Sequence, residues 1–297
     1  MQHRTQQPAT VSGTFTIGGD LMVYRLGFGA MRLTGPGIWG LPADKQEAIA
    51  VLRRALELGV NLIDTADSYG PEVSESLIAE ALYPYPKDLL IATKGGLLRT
   101  GPNQWPQDGS PAHLREALEG SLRRLRLDHI DLYQFHRPDP KVPFEDSVGA
   151  LAKMREEGKI RHVGLSNVTI EQLARAQKIV PIVTVQNHYN LGMRQSEHMT
   201  VDESEAMIDL CSREGIGFIL WSPLAFGELA RSGSVLDQIA KRHNAKPGQI
   251  ALAWLLKRSS TMLPIPCTAS VNHLEENLVG ATIELSQEEF GTLDRAS

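Results

Sequence analysis

The sequence predicts an α/β fold in which eight parallel strands close into a barrel surrounded by helices. Apolar runs recur roughly every thirty to forty residues, and each is followed by a polar loop and then a segment of helical periodicity. Eight such units favour a (β/α)8 barrel, because open doubly wound sheets more often stop at five to seven strands. The runs predicted to be strands are residues 26–28, 60–63, 89–93, 130–135, 160–165, 182–185, 217–220 and 262–265.

The segments between these runs predict the outer helices. Apolar residues recur there at three- and four-residue spacing, most clearly in residues 44–58, 111–127 and 144–157. Side chains that cap helix N-termini, and glycines that suit helix ends, stand at the borders of these segments. The expected N-caps are Asp44, Ser110, Thr169 and Asp202, and the expected end glycines are Gly59, Gly158 and Gly215.

Two short strands, residues 14–17 and 21–24, precede the first unit and predict a β-hairpin. The turn between them, Gly18-Gly19-Asp20, supplies the glycines that tight hairpins need. We expect this hairpin to close the bottom of the barrel. Residues 1–13 are expected to be a disordered extension, and residues 14–297 a single domain.

Composition excludes several classes of protein. The chain has 297 residues with 35 acidic and 30 basic side chains, a net charge of −5 spread without long blocks of one sign, which argues against nucleic-acid or membrane partners. Its two cysteines, Cys211 and Cys267, form neither a disulfide framework nor a zinc motif. The polar N-terminus lacks a signal-peptide core. We expect a cytoplasmic protein without a metal, acting on a small molecule.

The longest irregular stretches, residues 34–43 and 95–109, both follow predicted strands. In a barrel, the loops after strands lie on the catalytic face. We interpret residues 34–43 as a flexible rim loop. Three aromatic residues, Trp39, Trp105 and Phe226, are candidate substrate contacts, although simple surface aromatics fit nearly as well.

Ionisable residues end three of the predicted strands: Asp64, Lys94 and His136. Because all strands of a barrel point their C-terminal ends to one face, these side chains should converge. Tyr69, in the segment DTADSYG, joins them from the following loop. Taken singly, such an Asp is more often an N-cap, such a Tyr a core or rim residue, and such a His a loop start. Their joint spacing favours a catalytic cluster.

This cluster suits carbonyl reduction. A tyrosine hydroxyl, with a pKa of about 10, becomes a better acid when a nearby cation such as Lys94 stabilises the phenolate. Asp64 would keep Lys94 protonated. Tyr69 and His136 would then polarise a carbonyl oxygen and supply a proton as hydride reaches the carbon. No side chain donates hydride, so a nicotinamide cofactor is required.

The segments DTADSYG, IATKGG, LYQFHRPD and VGLSN resemble, in that order, the motifs of the aldo-keto reductase superfamily, from about residue 26 to 277. The resemblance implies that Asp64, Tyr69, Lys94 and His136 are a catalytic tetrad with Tyr69 as general acid. It also implies a cofactor site along the C-terminal strand ends. The residues it places there are Met31, Arg32, Ser166, Asn167, Gln186, Trp221, Ser222, Pro223, Leu224, Gly227, Thr268, His273, Glu276 and Asn277.

The chain departs from the family where the 2′-phosphate of NADPH is usually recognised. The usual Lys, Ser or Thr, and Arg correspond here to Cys267, Thr268 and His273. The loss of two permanent cations weakens the electrostatic case for NADPH over NADH. NADPH remains the favoured cofactor and NADH the alternative.

Within the family, TGPGIWG and IPCTASVNHLEENL most resemble bacterial members assigned to pyridoxal reduction, which implies pyridoxal plus NADPH giving pyridoxine. A broad-specificity aldehyde or ketone reductase is the near alternative. A nicotinamide-binding sensor, like potassium-channel β-subunits, belongs to a different class, and the complete tetrad argues against it. A third interpretation makes Lys94 a Schiff-base nucleophile of an aldolase-type barrel, but Asp64 favours the charged amine. Oligomeric state is left open.

Overall fold

The computed structural model describes residues 7–195, 197–225, 229 and 235–296. An antiparallel hairpin of β1 (Thr14–Ile17) and β2 (Leu21–Tyr24) precedes a parallel sheet in which strands follow one another in chain order. The strands of this sheet are β3 (Phe28–Gly29), β4 (Leu62–Asp64), β5 (Leu90–Gly95), β6 (Ile130–Phe135), β7 (Ile160–Ser166), β8 (Ile182–His188), β9 (Gly217–Trp221) and β10 (Met262–Pro264).

The sheet curves until its first and last strands meet. Gly27 N donates to Pro264 O at 3.0 Å, and Gly29 N donates to Pro266 O at 3.2 Å. A parallel bridge joins Gly29 to Cys267. The eight-stranded parallel sheet is therefore a nearly closed barrel, and the predicted (β/α)8 fold is confirmed.

The hairpin forms at the predicted residues and packs against the N-terminal ends of the barrel strands. Ile17 and Val23 share one apolar cluster with Leu62 and Leu90. Tyr24 N donates to Asn61 Oδ1 at 2.7 Å, immediately before β4 begins. The bottom of the barrel is thus covered, as expected from the sequence.

The N-terminal prediction is wrong in part. Residues 8–12, assigned to a disordered extension, form a 3-10 helix, Pro8–Ser12. Its Ala9 is fully buried, and Ser12 Oγ accepts from Leu26 N at 3.0 Å. Burial of an apolar side chain and a satisfied hydroxyl hold this segment on the barrel, a contact that local composition does not reveal.

Helices surround the barrel, and their caps follow the predictions with one exception. Asp44, Ser110 and Thr169 cap their helices. Asp202 does not: Thr200 is the N-cap and forms a capping box with Glu203, so the helix begins earlier. Among the described residues the helices are α1 (Lys45–Glu57), α2 (Val73–Leu82), α3 (Pro111–Leu125), α4 (Phe144–Glu156), α5 (Ile170–Ala176), α6 (Val201–Glu214), α7 (Val235–Arg242), α8 (Pro247–Arg258), α9 (Val271–Val279) and α10 (Gln287–Ala296).

Several strands extend beyond their apolar runs into polar residues. Lys94 pairs in register with Gln134, and Ser166 pairs with Gln186. These polar side chains are therefore fixed by the sheet itself rather than by loops. Within the described ranges, no helix is long and apolar enough to cross a membrane, and no group of three or more His, Cys, Asp or Glu side chains is placed to hold a metal ion.

Candidate active site

A cleft of about 1410 Å³ opens at the C-terminal ends of the barrel strands. It is larger than the ~300–1,000 Å³ typical of small-molecule pockets, so it has room for a dinucleotide together with a substrate. Asp64, Tyr69 and His136 line one part of it, while His273 and Asn277 line another part. The cleft is continuous between these two groups.

Asp64, Lys94 and Tyr69 form a chain of contacts in the wall of the cleft. Lys94 Nζ donates to Asp64 Oδ1, to Thr65 O at 2.9 Å, and to Tyr69 OH at 3.3 Å. Lys94 is fully buried, and Asp64 and Tyr69 are almost so. Strands β4 and β5 lie side by side, which brings the first two together, and the loop after β4 returns Tyr69 to them.

Two buried glutamines fix the second oxygen of Asp64. Gln134 Nε2 and Gln186 Nε2 donate to Asp64 Oδ2 at 2.9 and 2.8 Å. Gln134 was missed by the sequence interpretation, which considered the residues after strands and overlooked the penultimate residue of β6. The alternation of side chains along that strand is the signal that would have found it.

From the sequence, we expected Lys94 to make the Tyr69 hydroxyl a better acid, but the net shift of the Tyr69 pKa is upward. Burial raises the pKa of Tyr69 to about 12, and the opposing effect of Lys94 is smaller. Burial is the largest single influence on the pKa of Lys94 and lowers it, but the charges of Asp64 and Tyr69 and the hydrogen bonds to both together outweigh burial, so the pKa of Lys94 is raised. The Tyr69 hydroxyl is therefore protonated at neutral pH, and the ammonium of Lys94 is charged.

His136 lies beside Tyr69, with ring centroids 5.8 Å apart. Burial, followed by the charges of Lys94 and Arg137, holds its pKa well below the usual value. Its Nδ1 is 3.5 Å from Ser68 Oγ. A neutral imidazole next to a protonated phenol presents two neutral hydrogen-bonding groups to the cleft, which suits an uncharged carbonyl oxygen.

Ser166, Asn167 and Trp221 form a connected group at the ends of β7 and β9. Asn167 Nδ2 donates to Ser166 Oγ and to His136 O, both at 3.0 Å, and Asn167 Oδ1 accepts from Trp221 Nε1 at 3.2 Å. Asn167 has a positive φ of 56°, a conformation that Asn tolerates better than most residues. All three side chains line the cleft.

Over nearly its whole length, residues 25–297, the chain matches the Aldo/keto reductase family. It belongs to the aldo-keto reductase family. The chain is 52% identical to an uncharacterized oxidoreductase of Schizosaccharomyces pombe, covering 96% of this chain and 90% of the relative, and 46% identical to pyridoxine 4-dehydrogenase of Escherichia coli, covering 96% and 99%. It also matches, at 28% identity and a TM-score of 0.78, an aldo-keto reductase from Klebsiella pneumoniae in complex with NADP and acetate, covering 95% of this chain and 94% of that one.

This aldo-keto reductase is an NAD(P)H-dependent oxidoreductase, and its cleft fits a nicotinamide dinucleotide. Ser222 and Ala225, after β9, have positive φ values of 58° and 47°, and such left-handed residues in a turn direct backbone N–H groups toward an anion. Asn190 Nδ2 steadies the turn by donating to Ser222 O at 3.1 Å. Phe226 and Gly227 lie outside the described residues.

At the other end of the cleft lie Thr268 and His273, which correspond to the family's 2′-phosphate positions. Lys246, the N-cap residue of α8, also lines this end of the cleft, and the sequence interpretation missed it. Lys246 Nζ donates to Glu276 Oε1. No motif signals this residue, because α8 and α9 bring it into the cleft.

The expected cofactor residues that line the cleft are Met31, Arg32, Ser166, Asn167, Gln186, Trp221, Ser222, Pro223, Leu224, Thr268, His273, Glu276 and Asn277.

The two candidate substrate tryptophans within the described residues are placed differently. Trp105 lines the cleft and meets the Tyr69 ring edge-on at 6.3 Å, whereas Trp39 is not among the lining residues. Arg99 stacks on Trp105 and donates to Ile38 O at 2.6 Å and Gly37 O at 3.0 Å. Arg99 therefore ties the 34–43 loop to the neighbouring 95–109 loop, and its guanidinium also lies 5.5 Å from the centroid of the Trp39 ring.

Proposed function

We propose that this protein reduces an aldehyde with NADPH, with Tyr69 as the proton donor, and that its substrate is pyridoxal, which becomes pyridoxine. A bound reduced nicotinamide supplies the hydride. The protein's own groups hydrogen-bond the carbonyl oxygen, donate the proton to it, and orient the reactants. Trp221, Asn167 and Ser166 would hold the nicotinamide end.

One observation carries this proposal: the contact chain from Asp64 through Lys94 to Tyr69 ends at the wall of the cleft beside neutral His136. Hydrogen bonds from Tyr69 and His136 to a carbonyl oxygen would withdraw electrons from its carbon. The phenolic proton then passes to that oxygen as hydride arrives, and the charge of Lys94 stabilises the phenolate left behind. Asp64 keeps Lys94 charged in its buried position.

Support for NADPH over NADH comes from the adenine end of the cleft. Lys246 adds a basic side chain to the cleft that Thr268 and His273 also line. Its present partner, Glu276, is a single carboxylate on a side chain 37% exposed. A cation there can offset the replacement of the family's Lys and Arg by Cys267 and His273.

Two observations support pyridoxal as the substrate: the sequence similarity to a relative and the aromatic lining of the cleft. The E. coli relative at 46% identity is named pyridoxine 4-dehydrogenase. Trp105 and the Tyr69 ring offer aromatic surfaces against which a flat heteroaromatic aldehyde can pack.

The test is the decay of absorbance at 340 nm when purified protein is mixed with NADPH or, separately, NADH and each of a panel of aldehydes that includes pyridoxal. We expect rapid oxidation of NADPH, fastest with pyridoxal and slower with NADH. Similar rates with all aldehydes would support a broad-specificity reductase. Absence of oxidation with every aldehyde would favour a nicotinamide-binding sensor, and a borohydride-trapped adduct on Lys94 would favour Schiff-base chemistry.

A further inference from the structure

A charged pair lies at the rim of the cleft, outside the groups used so far. Arg137, which directly follows His136, donates from Nη1 to Glu197 Oε2, and both side chains line the cleft. The Arg137 side chain is 23% exposed and that of Glu197 is 61% exposed. Arg137 is therefore the enclosed member of the pair, and Glu197 covers it from the solvent side.

The pair joins two loops of the barrel. Arg137 stands after β6, while Glu197 belongs to the segment between β8 and α6. That segment is itself anchored, because Arg194 donates to Asp294 O at 2.8 Å and its guanidinium lies 4.9 Å from the centroid of the Trp254 ring. Glu197 can thus hold the guanidinium of Arg137 in a defined position.

Arg137 directly follows His136 in the chain and both side chains line the cleft, so Arg137 lies at the substrate end rather than beside His273 and Asn277. Its charge is close enough to His136 to contribute, after burial and Lys94, to the lowered pKa of that imidazole. A guanidinium has five N–H donors, and one carboxylate engages at most two of them. Arg137 therefore has the capacity to hydrogen-bond a substrate oxygen while Glu197 stays bound.

We propose that Arg137 is a specificity-determining residue that hydrogen-bonds the oxygen of a hydroxyl group on the ring carbon next to the aldehyde, with Glu197 as its positioning residue. This inference rests on the proposed function and narrows its substrate class to ortho-hydroxy aromatic aldehydes. In such molecules, pyridoxal among them, the two oxygens can point to the same side of the ring. Tyr69 and His136 take the carbonyl oxygen, and Arg137 takes its neighbour.

The test compares two pairs of aldehydes that differ at the adjacent ring position: 2-hydroxybenzaldehyde against benzaldehyde, and pyridoxal against pyridine-4-carbaldehyde. With Arg137→Met, we expect KM for the hydroxylated members to rise about 10- to 100-fold, the range for a lost hydrogen bond to a charged group. KM for the unsubstituted members should change less than about threefold, and kcat should change little for all four. Arg137→Lys should restore part of the loss, because it keeps the charge but lacks the planar fork.

Arg175→Met is the matched control, since Arg175 pairs with the exposed Glu145 outside the cleft and should leave every KM unchanged. Glu197→Gln should raise KM for the hydroxylated aldehydes alone, by less than Arg137→Met.

Quenching of tryptophan fluorescence by NADPH checks that each variant folds and binds cofactor normally. An equal change of KM within each pair, or no change, overturns the role of Arg137 while the proposed reductase activity stands. If the unmodified protein reduces none of the four aldehydes, the proposed function fails first, and this inference with it.

Discussion

Tyr69 experiences two opposed influences. Burial raises its pKa to about 12, while the charge of Lys94 works in the other direction. Removal of Lys94 would therefore raise the pKa of Tyr69 further and make the phenol a still weaker acid. On this account Lys94 does not ionise Tyr69 at rest; it limits the free-energy cost of the phenolate that forms during the reaction.

The pKa of Tyr69 leads to opposite pH dependences for the two directions of the reaction. Reduction needs the protonated phenol, which predominates at every pH well below about 12, so kcat/KM for reduction should be nearly constant from about pH 6 to about pH 9. Oxidation of the alcohol needs the phenolate, so its kcat/KM should rise about tenfold per pH unit over that range. Steady-state rates at saturating cofactor test this. A fall in reduction centred near neutral pH would show that another group is the acid.

Asp64 compensates the buried charge of Lys94 and accepts from Gln134 and Gln186. Asp64→Asn should destabilise the fold by about 3–5 kcal/mol, because a buried ammonium loses its counter-charge. It should also lower kcat/KM, since Lys94 then tends to lose its proton. Urea unfolding and the 340 nm assay measure the two effects.

Asp44→Asn is the matched control for that charge removal. Asp44 caps α1 in an exposed position, where its Oδ1 accepts from Glu47 N at 2.9 Å, and Asn caps nearly as well as Asp. Stability and activity should both stay close to those of the unmodified protein. Equal stability of Asp64→Asn and Asp44→Asn would contradict the compensating role of Asp64.

Among the secondary-structure elements, the β1–β2 turn is held against the barrel by contacts of the Asp20 carboxylate with two basic side chains. Asp20 contacts His162 Nε2 at 2.7 Å and accepts from Arg161 Nη2 at 2.8 Å. Gly18 and Gly19 both have positive φ, 64° and 85°. A Cβ on Gly18 would run into the His162 ring, whereas a Cβ on Gly19 would meet nothing within 4 Å.

These two glycines make a matched pair for testing the turn. Gly19→Ala should cost only the backbone strain, about 1–2 kcal/mol. Gly18→Ala should cost more, because it also displaces His162 from Asp20. Urea unfolding measures the difference, and aldehyde reduction should be unchanged in both variants because the turn is at the end of the barrel opposite the cleft. Equal destabilisation would mean that the contact between His162 and Asp20 contributes nothing.

In the molecule as a whole, one end of the barrel is closed by apolar packing and the other carries the cleft. The hairpin covers the bottom with apolar side chains such as Ile17 and Val23. The top gathers Asp64, Lys94 and His136, which lie in or directly after three different strands and are far apart in the sequence. Parallel strands make this possible, because every strand delivers its C-terminal residue to the same face.

The fold was predictable because apolar runs and helical periodicity report burial directly, and β6 was predicted with its observed ends. Strand ends were less predictable where polar residues stay in register, as Ser166 and Gln186 do. The choice between Thr200 and Asp202 as N-cap depended on the reciprocal bond from Glu203.

The four residues of the predicted tetrad could be recognised from the sequence. Asp64, Lys94 and His136 each follow an apolar run, and Tyr69 lies in the loop after the first of these runs. The upward direction of the Tyr69 pKa shift could not be predicted from the sequence, because the extent of burial depends on residues from distant parts of the chain. Arg137 was overlooked as a cleft residue for a related reason: its partner Glu197 comes from another loop, and only the closed barrel brings the two together.

A single-turnover measurement of Tyr69→Phe tests whether Tyr69 donates the proton during carbonyl reduction. Protein saturated with NADPH is mixed with aldehyde, and the absorbance at 340 nm is followed beside that of the unmodified protein. We expect the rate constant to fall by about 10²- to 10⁴-fold while NADPH affinity, measured by fluorescence quenching, stays the same. An unchanged rate constant would contradict the account.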